Sequence, residues 1–192
     1  MAGLTGGLRS GTVQVRIDMD GDGPVLLWLR KDLRLADNPA LNAAIATGRP
    51  VIPLYILDAT PGVRPMGAAS LWWLDQSLAA LARDIEGRGG RLILRRGPAA
   101  SVLAELIAET GAAGVVWNRL YDKASIDRDA AIKADLRGQG LACESFNAGL
   151  LNEPWTVKNG SGEGYKVFTP YWRAARAQIG EVFVTPPPAA LP

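Results

Sequence analysis

The fold-determining stretch reads VLLWL at residues 25–29, RKDLRLADNPALNAAIATG at residues 30–48 and VIPLYIL at residues 51–57. The outer pieces are short apolar runs, which are typical of buried strands in a parallel sheet. In the middle piece, Asp37 or Asn38 is suited to cap a helix whose first turn contains Pro39, and Gly48 is suited to end it. The stretch therefore predicts a strand–helix–strand unit. Pro53 inside the second run either weakens the strand prediction or marks a point where the strand ladder needs no donor.

The same alternation of strand and helix continues along the chain. Helical crossovers join parallel strands and are right-handed, so they place helices on both faces of the sheet. Five units are too few for an eight-fold barrel. We therefore predict an α/β fold, a five-stranded doubly wound parallel sheet of the Rossmann-like kind. The remaining elements are predicted as an amphipathic helix over residues 71–85, strands over 91–94, 114–117 and 141–146, a helix opened by Pro98 and a helix over 125–137.

Composition excludes several classes of site. The 192 residues are 48% hydrophobic and 21% charged, which suits one folded domain. The absence of histidine excludes histidine bases and imidazole metal sites, and the single Cys143 excludes an internal disulfide and a cysteine zinc cluster. A net charge of +2 gives no strong footprint for nucleic acid. No apolar run has transmembrane length and no signal peptide is evident, so we expect a cytoplasmic protein with no membrane partner.

The chain divides into three parts. Residues 1–24 form a predicted N-terminal extension, in which alternation from Val13 to Met19 indicates a short edge strand. Residues 25–180 form the predicted α/β domain, with a loop at 147–168 and a last helix that begins near Thr169. Residues 181–192 are Pro-rich and are predicted to be a stiff linker.

Candidate site residues follow from the sheet, because open α/β sheets bind ligands beyond the carboxyl ends of their strands. The loop after the first strand is either a ligand site or a surface loop in which Asp32 pairs with Arg34. The amide of Asn118 suits either the edge of a heterocycle or turn chemistry. The candidates are Arg30, Lys31 and Asp32 after the first strand, Asp58 after the second, and Asn118 and Arg119 after the fourth.

The segment LWLRKDLRLADNPAL at residues 27–41 resembles the opening signature of the DNA photolyase and cryptochrome family. Three later segments are similar to family segments in the same order. They are the helix at residues 70–81, NRLYD at 118–122 with Arg128 and Asp129 after it, and GYKVFTPY at 164–171.

The resemblance implies an N-terminal antenna domain of a deoxyribodipyrimidine photolyase, which repairs pyrimidine dimers with light. The implied antenna chromophore is methenyltetrahydrofolate or 8-hydroxy-5-deazaflavin, with Asn118 at its polar edge. Arg30 and Lys31 would meet its anionic or planar parts, Arg119 would lie beside it, and Asp32 and Asp58 would shape the pocket. In the family, FAD and UV-damaged DNA bind a following helical domain, so these 192 residues alone should be catalytically inactive.

Two alternatives remain open from the sequence. One is the N-terminal domain of a cryptochrome-like blue-light photoreceptor, which would look the same in this region. The other is a stand-alone nucleotide-binding α/β module without a light function. The sequence leaves the oligomeric state open.

Overall fold

A five-stranded, all-parallel sheet forms the centre of the molecule in a computed structural model that describes residues 17, 19, 21–179 and 184–192. The strand order is β3-β2-β1-β4-β5, so the chain winds outward from β1 to β3 and then crosses to the other side of β1. This order confirms the predicted doubly wound sheet, with its switch point between β1 and β4. The strands are β1 (Val25–Leu29), β2 (Val51–Asp58), β3 (Ile93–Gly97), β4 (Gly114–Asn118) and β5 (Ala142–Phe146).

Helices cover both faces of the sheet, as predicted. Leu41 and Ile85 bring the first two helices into a core cluster with Leu27, whereas Leu103 and Ile132 bring the next two into a cluster with Trp28 on the opposite face. The helices are α1 (Pro39–Ala46), α2 (Ala68–Glu86), α3 (Ala99–Thr110), α4 (Lys123–Gly138) and α5 (Phe168–Gln178).

Local sequence signals set the helix ends that face the carboxyl edge of the sheet. Asn38 caps α1 by accepting a hydrogen bond from the Leu41 backbone N–H at 3.1 Å. Asp122 caps α4 by accepting from the Ser125 N–H at 3.0 Å. Both caps satisfy donors that a helix start leaves without partners, so both helices begin at the same edge where β1 and β4 end.

The third strand differs from its prediction. It runs over Ile93–Gly97 rather than over residues 91–94, and it includes two arginines. β3 is an edge strand in which Leu94 is 53% exposed, so its residues need not be apolar and hydrophobicity alone misplaces it. Pro53 lies in β2 just before the ladder with β3 begins at Leu54, so only β1 flanks it.

The Pro-rich C-terminal segment is packed against the domain over residues 184–192. Leu191 is buried in the cluster of α1 and α2, and its N–H donates to the Arg88 carbonyl at 2.9 Å. The Val51 N–H at the start of β2 donates to the Pro192 carbonyl at 3.0 Å. Residues 180–183 lie outside the described part of the chain, as does most of the strand predicted over residues 13–19. Of that strand only Ile17 and Met19 are described, and both pack against the same cluster.

Among the described residues, no helix combines the length and apolar character needed to cross a bilayer.

Candidate functional site

A cavity of about 730 Å³ opens at the carboxyl edge of the sheet, over the ends of β1 and β2. The loop at residues 59–66, which follows β2, and Leu71 of α2 form one side of it. The start of α4 forms another side, through Ser125 and Arg128. The remaining lining residues are Trp28, Arg30, Lys31, Tyr55, Ile56, Leu57, Asp58, Arg96, Leu120 and Asp122.

An indole in contact with two guanidinium groups forms the inner wall. The Cζ atom of Arg30 lies 4.6 Å from the centre of the Trp28 ring, and that of Arg128 lies 4.9 Å from it. Trp117 packs on Trp28 with its ring centre 5.6 Å away and an interplanar angle of 69°. Cations attracted to the π-face of an indole gain stability when water is excluded, so this stack fixes the orientation of both arginines.

The two arginines belong to a quartet of buried charges, defined here as Arg30, Arg128, Asp58 and Asp129. Arg30 Nη1 lies 2.6 Å from Asp129 Oδ2, and Arg128 Nη2 lies 2.6 Å from Asp129 Oδ1. Arg128 Nη1 lies 2.5 Å from Asp58 Oδ2. Burial of an unpaired charge costs much free energy. In the quartet, two positive charges are paired with two negative charges, which reduces that cost.

The environment of the quartet shifts two pKa values. Burial alone would raise the pKa of Asp58, but hydrogen bonds from Thr60 and the charge and hydrogen bond of Arg128 outweigh it and lower that pKa. Burial lowers the pKa of Arg30, and the neighbouring Asp129 carboxylate opposes this effect. An arginine keeps its charge in proteins, so Arg30 stays protonated although burial lowers its pKa.

Among the described residues, two donors at the cavity wall have no hydrogen-bond partner. They are the Trp28 Nε1 and Arg30 Nε atoms, and both are inaccessible to water. A buried donor without a partner costs about 1–3 kcal/mol. Both belong to side chains that line the cavity, although neither atom itself is exposed to it.

The switch point between β1 and β4 is filled by a second polar cluster. Asn118 Nδ2 donates to Asp32 Oδ2 at 2.6 Å and to Asn38 Oδ1 at 2.7 Å, and Asn118 Oδ1 accepts from the Ala40 N–H at 3.1 Å. Asn118 is 3% exposed, and its amide is used at both ends to tie β1, β4 and α1 together. The alternative in which Asp32 pairs with Arg34 is wrong, because Asp32 accepts from the Arg30 N–H at 2.9 Å and from Asn118 instead.

A third cluster surrounds Arg119. Its Nη1 atom lies 2.6 Å from Glu153 Oε1, and its Nη2 atom donates to the Ser145 carbonyl at 2.6 Å. The Tyr121 hydroxyl donates to the same Glu153 oxygen at 2.8 Å, and the Tyr121 ring centre lies 6.0 Å from that of Trp155. Burial and the Glu153 carboxylate raise the pKa of Tyr121 to about 12. This cluster holds the loop after β5 against the end of β4.

The structure thus divides the six predicted site residues among three places. Arg30, Lys31 and Asp58 line the cavity, whereas Asp32 and Asn118 fill the switch point and Arg119 holds a loop. In the described part of the chain, no three His, Cys, Asp or Glu side chains could hold a metal ion together.

Sequence reasoning missed four wall and rim residues, namely Trp28, Arg64, Arg96 and Arg128. Trp28 reads as an ordinary core residue of a buried strand. Arg64 lies in a nine-residue connection between β2 and α2, a length unusual enough to have drawn attention to it. Arg128 is one turn inside a helix, where a charge is normally solvated, and the family resemblance of its segment does not by itself predict its place in the cavity wall.

Comparison with known proteins identifies the family. The family model for DNA photolyase matches residues 25–192, which is most of the chain. The chain belongs to the DNA photolyase family. Within the family, it is 48% identical over 168 residues to a deoxyribodipyrimidine photo-lyase of Agrobacterium fabrum (strain C58 / ATCC 33970), covering 88% of this chain and 35% of that one. It is 37% identical over 172 residues to cryptochrome-2 of Arabidopsis thaliana, covering 88% and 28%.

Solved structures agree with this assignment. A bacterial class III photolyase from Agrobacterium tumefaciens superposes with a TM-score of 0.82 at 47% identity, over 89% of this chain and 35% of that one. A Synechocystis cryptochrome shares the fold with a TM-score of 0.77 at 22% identity, over 88% and 36%. The chain therefore spans about a third of the length of these photolyase relatives and corresponds to their N-terminal α/β domain.

Proposed function

We propose that the cavity binds a light-harvesting chromophore, methenyltetrahydrofolate or an 8-hydroxy-5-deazaflavin, and that the chain is the antenna domain of a deoxyribodipyrimidine photo-lyase. One observation carries the proposal: a cavity of about 730 Å³ has an indole with two adjacent guanidinium groups as its inner wall. This volume lies within the range of pockets that bury most of a ligand of drug size.

The residues present fit a planar, polar-edged pigment. Leu71, Met66 and Ile56 offer apolar contact, and the unpartnered Trp28 and Arg30 donors would bond to an acceptor on the ligand after a small shift of either side chain. The quartet brings balanced charge to the wall, so its arginines contact a ligand without needing water to stabilise them. The bound pigment would supply absorption of near-ultraviolet or blue light and transfer of its excitation to a flavin.

The predicted site residues take two kinds of role in this proposal. Arg30, Lys31 and Asp58 lie around the pigment, and Asp58 acts by holding Arg128 in the wall. Asn118 and Asp32 act from behind, because they fix the ends of β1 and β4 relative to α1. Arg119 orders the loop after β5 through Glu153.

The catalytic part of the activity belongs, in this proposal, to the two thirds of the relatives' length that this chain does not span. FAD and UV-damaged DNA would bind there, and the chain alone would not repair DNA. Identity of 48% to a photolyase against 37% to a cryptochrome favours a repair enzyme over a photoreceptor. A repair enzyme of this kind would act in the cytoplasm.

Pigment retention tests the proposal. The purified chain is mixed with each pigment and separated from free pigment by gel filtration, and we expect the protein peak to absorb in the near ultraviolet or blue. Ala59→Trp places an indole at the cavity and should abolish retention, whereas Ala80→Trp on the exposed side of α2 should not. Failure to retain either pigment would contradict the proposal, and binding of ATP instead would support a stand-alone nucleotide-binding module.

A further inference from the structure

The rim of the cavity carries positive charge that the protein does not neutralise. Its cations are Lys31 at the end of β1, Arg64 in the loop after β2 and Arg96 on β3, and all three are exposed. Within the described part of the chain, none of these three side chains makes a hydrogen bond or a salt bridge. Three different elements therefore bring unpaired cations to one opening.

The carboxylates of the cavity do not balance this rim. Asp58 is committed to Arg128 at 2.5 Å, inside the quartet. Asp122 caps α4 through the Ser125 N–H. Burial would raise its pKa, but the bonds with Ser125 and the charge of Lys31 lower it. Lys31 thus has a distant counter-charge in Asp122, and Arg64 and Arg96 have none among the lining residues.

Two neighbouring arginines on β3 differ in whether they have an ion-pair partner. Arg95 pairs with Glu109 of α3 at 3.3 Å and does not line the cavity. Arg96, the next residue, points to the opposite face, as alternation along a strand requires, and lies at the cavity. The chain has a net charge of only +2, so a cluster of unpaired cations at one opening is not a consequence of general basicity.

We infer that Lys31, Arg64 and Arg96 form an anion subsite that selects pigments with an acidic tail. The inference rests on the proposed function, since the tail belongs to the pigment held in the cavity. Phosphate and carboxylate groups share the required chemistry, because both accept hydrogen bonds from cations and both bear negative charge. The three side chains are specificity-determining residues that bind the acidic tail, whereas the inner wall contacts the chromophore itself.

The test compares pigments that differ only in their tails, bound to the whole chain. The probes are methenyltetrahydrofolate with one and with three glutamates, and 8-hydroxy-5-deazariboflavin without a tail, with a 5′-phosphate, and with a phosphate followed by glutamates. Affinity is measured by fluorescence titration for the wild type and for the triple variant Lys31→Gln, Arg64→Gln, Arg96→Gln. The control variant Arg83→Gln, Arg91→Gln, Arg173→Gln removes the same charge at exposed positions away from the cavity.

We expect the triple variant to lose roughly tenfold in affinity for the tailed pigments and little for the tailless one, since each exposed charge pair contributes modestly. The control should bind like the wild type. A loss for the phosphate probe alone, or for the glutamylated probes alone, would identify which group the subsite takes.

Equal affinity of tailed and tailless pigments for the wild type would overturn the subsite while leaving the proposed function intact, provided that Ala59→Trp still blocks binding. An equal loss with the control variant would also overturn it. Absence of binding by every probe would overturn both the subsite and the proposed function.

Discussion

At the residue scale, Asp129 is the residue that links the two buried arginines of the site. One carboxylate serves two buried arginines, with Oδ2 on Arg30 and Oδ1 on Arg128. Both guanidinium groups lie against the Trp28 ring, so the carboxylate also fixes the shape of the cavity wall. A buried ion pair contributes little net stability compared with an apolar replacement, but removal of one partner leaves a charge stranded.

Asp129→Asn should therefore lower the free energy of unfolding by about 3–5 kcal/mol, because Arg30 would lose its ion pair and, among the described residues, Arg128 would keep only its pair with Asp58. Urea unfolding followed by circular dichroism measures this change. Lys123→Gln, which removes an exposed pair with Asp127, is the matched control and should change stability by less than about 1 kcal/mol. Equal effects of both variants would show that the quartet is not a coupled unit.

Acid should destabilise the protein through Asp58. Its pKa is lowered in the folded state from an ordinary value of 3.8, so its contribution to stability is complete above that value and is lost as the pH falls through the lower folded pKa. Unfolding free energies measured from neutral pH down to about pH 2 should show this loss below about pH 4. Asp58→Asn should be less stable at neutral pH and should show a shallower decline in that range. An unchanged slope would assign the acid sensitivity to other carboxylates.

At the scale of elements, packing of the C-terminal segment is the feature that composition alone describes least well. Residues 184–192 are rich in proline and suggest a free linker. Leu191 is nevertheless buried between α1 and α2, and a Cβ atom added to Gly90 would lie 2.7 Å from its Cδ1 atom. Glycine at position 90 thus leaves the space that Leu191 occupies, which makes the segment part of the core of this face.

Leu191→Ala should cost about 2–4 kcal/mol, the range for truncating a buried leucine. Thermal or urea unfolding of the whole chain measures it. Leu151→Ala is the control, because Leu151 is 69% exposed and its truncation should change stability by less than about 0.5 kcal/mol. If both variants unfold like the wild type, the segment is not a structural part of the domain.

Prediction from sequence succeeds for elements wherever the signal is local. The strand at residues 25–29, the Asn38 cap and the turn of Gly48 all follow from backbone chemistry, and the alternation of elements determines the parallel sheet. It fails for β3, because an edge strand is not required to be apolar.

The sequence predicts which edge of the sheet carries the site, but not which side chains face the cavity there. The carboxyl edge is fixed by topology, so Arg30, Lys31 and Asp58 all lie at one cavity, and their role in binding stays a prediction. Which polar groups face that cavity and which face each other depends on long-range pairs, such as that of Asn118 with Asp32. No pattern along the chain encodes those pairs.

At the scale of the whole molecule, pigment binding should stabilise the folded chain. A ligand at about a hundred times its Kd adds about 2.7 kcal/mol to the free energy of unfolding, which corresponds to a rise in Tm of roughly 5 to 10 °C for a domain of this size. Differential scanning fluorimetry with a dye that avoids the pigment band measures the shift. The Ala59→Trp variant should show no rise, and a rise equal to that of the wild type would place the pigment elsewhere.

The docking of Pro192 beside Val51 has a practical consequence. Val51 begins β2, whereas the cavity lies where β2 ends, seven residues further along the strand. At the usual rise per residue, these two edges are about 25 Å apart. A fluorescent protein fused after Pro192 would therefore leave the opening clear while remaining close enough for resonance energy transfer. Such a fusion would report pigment loading by emission of the fluorescent protein that follows excitation of the pigment.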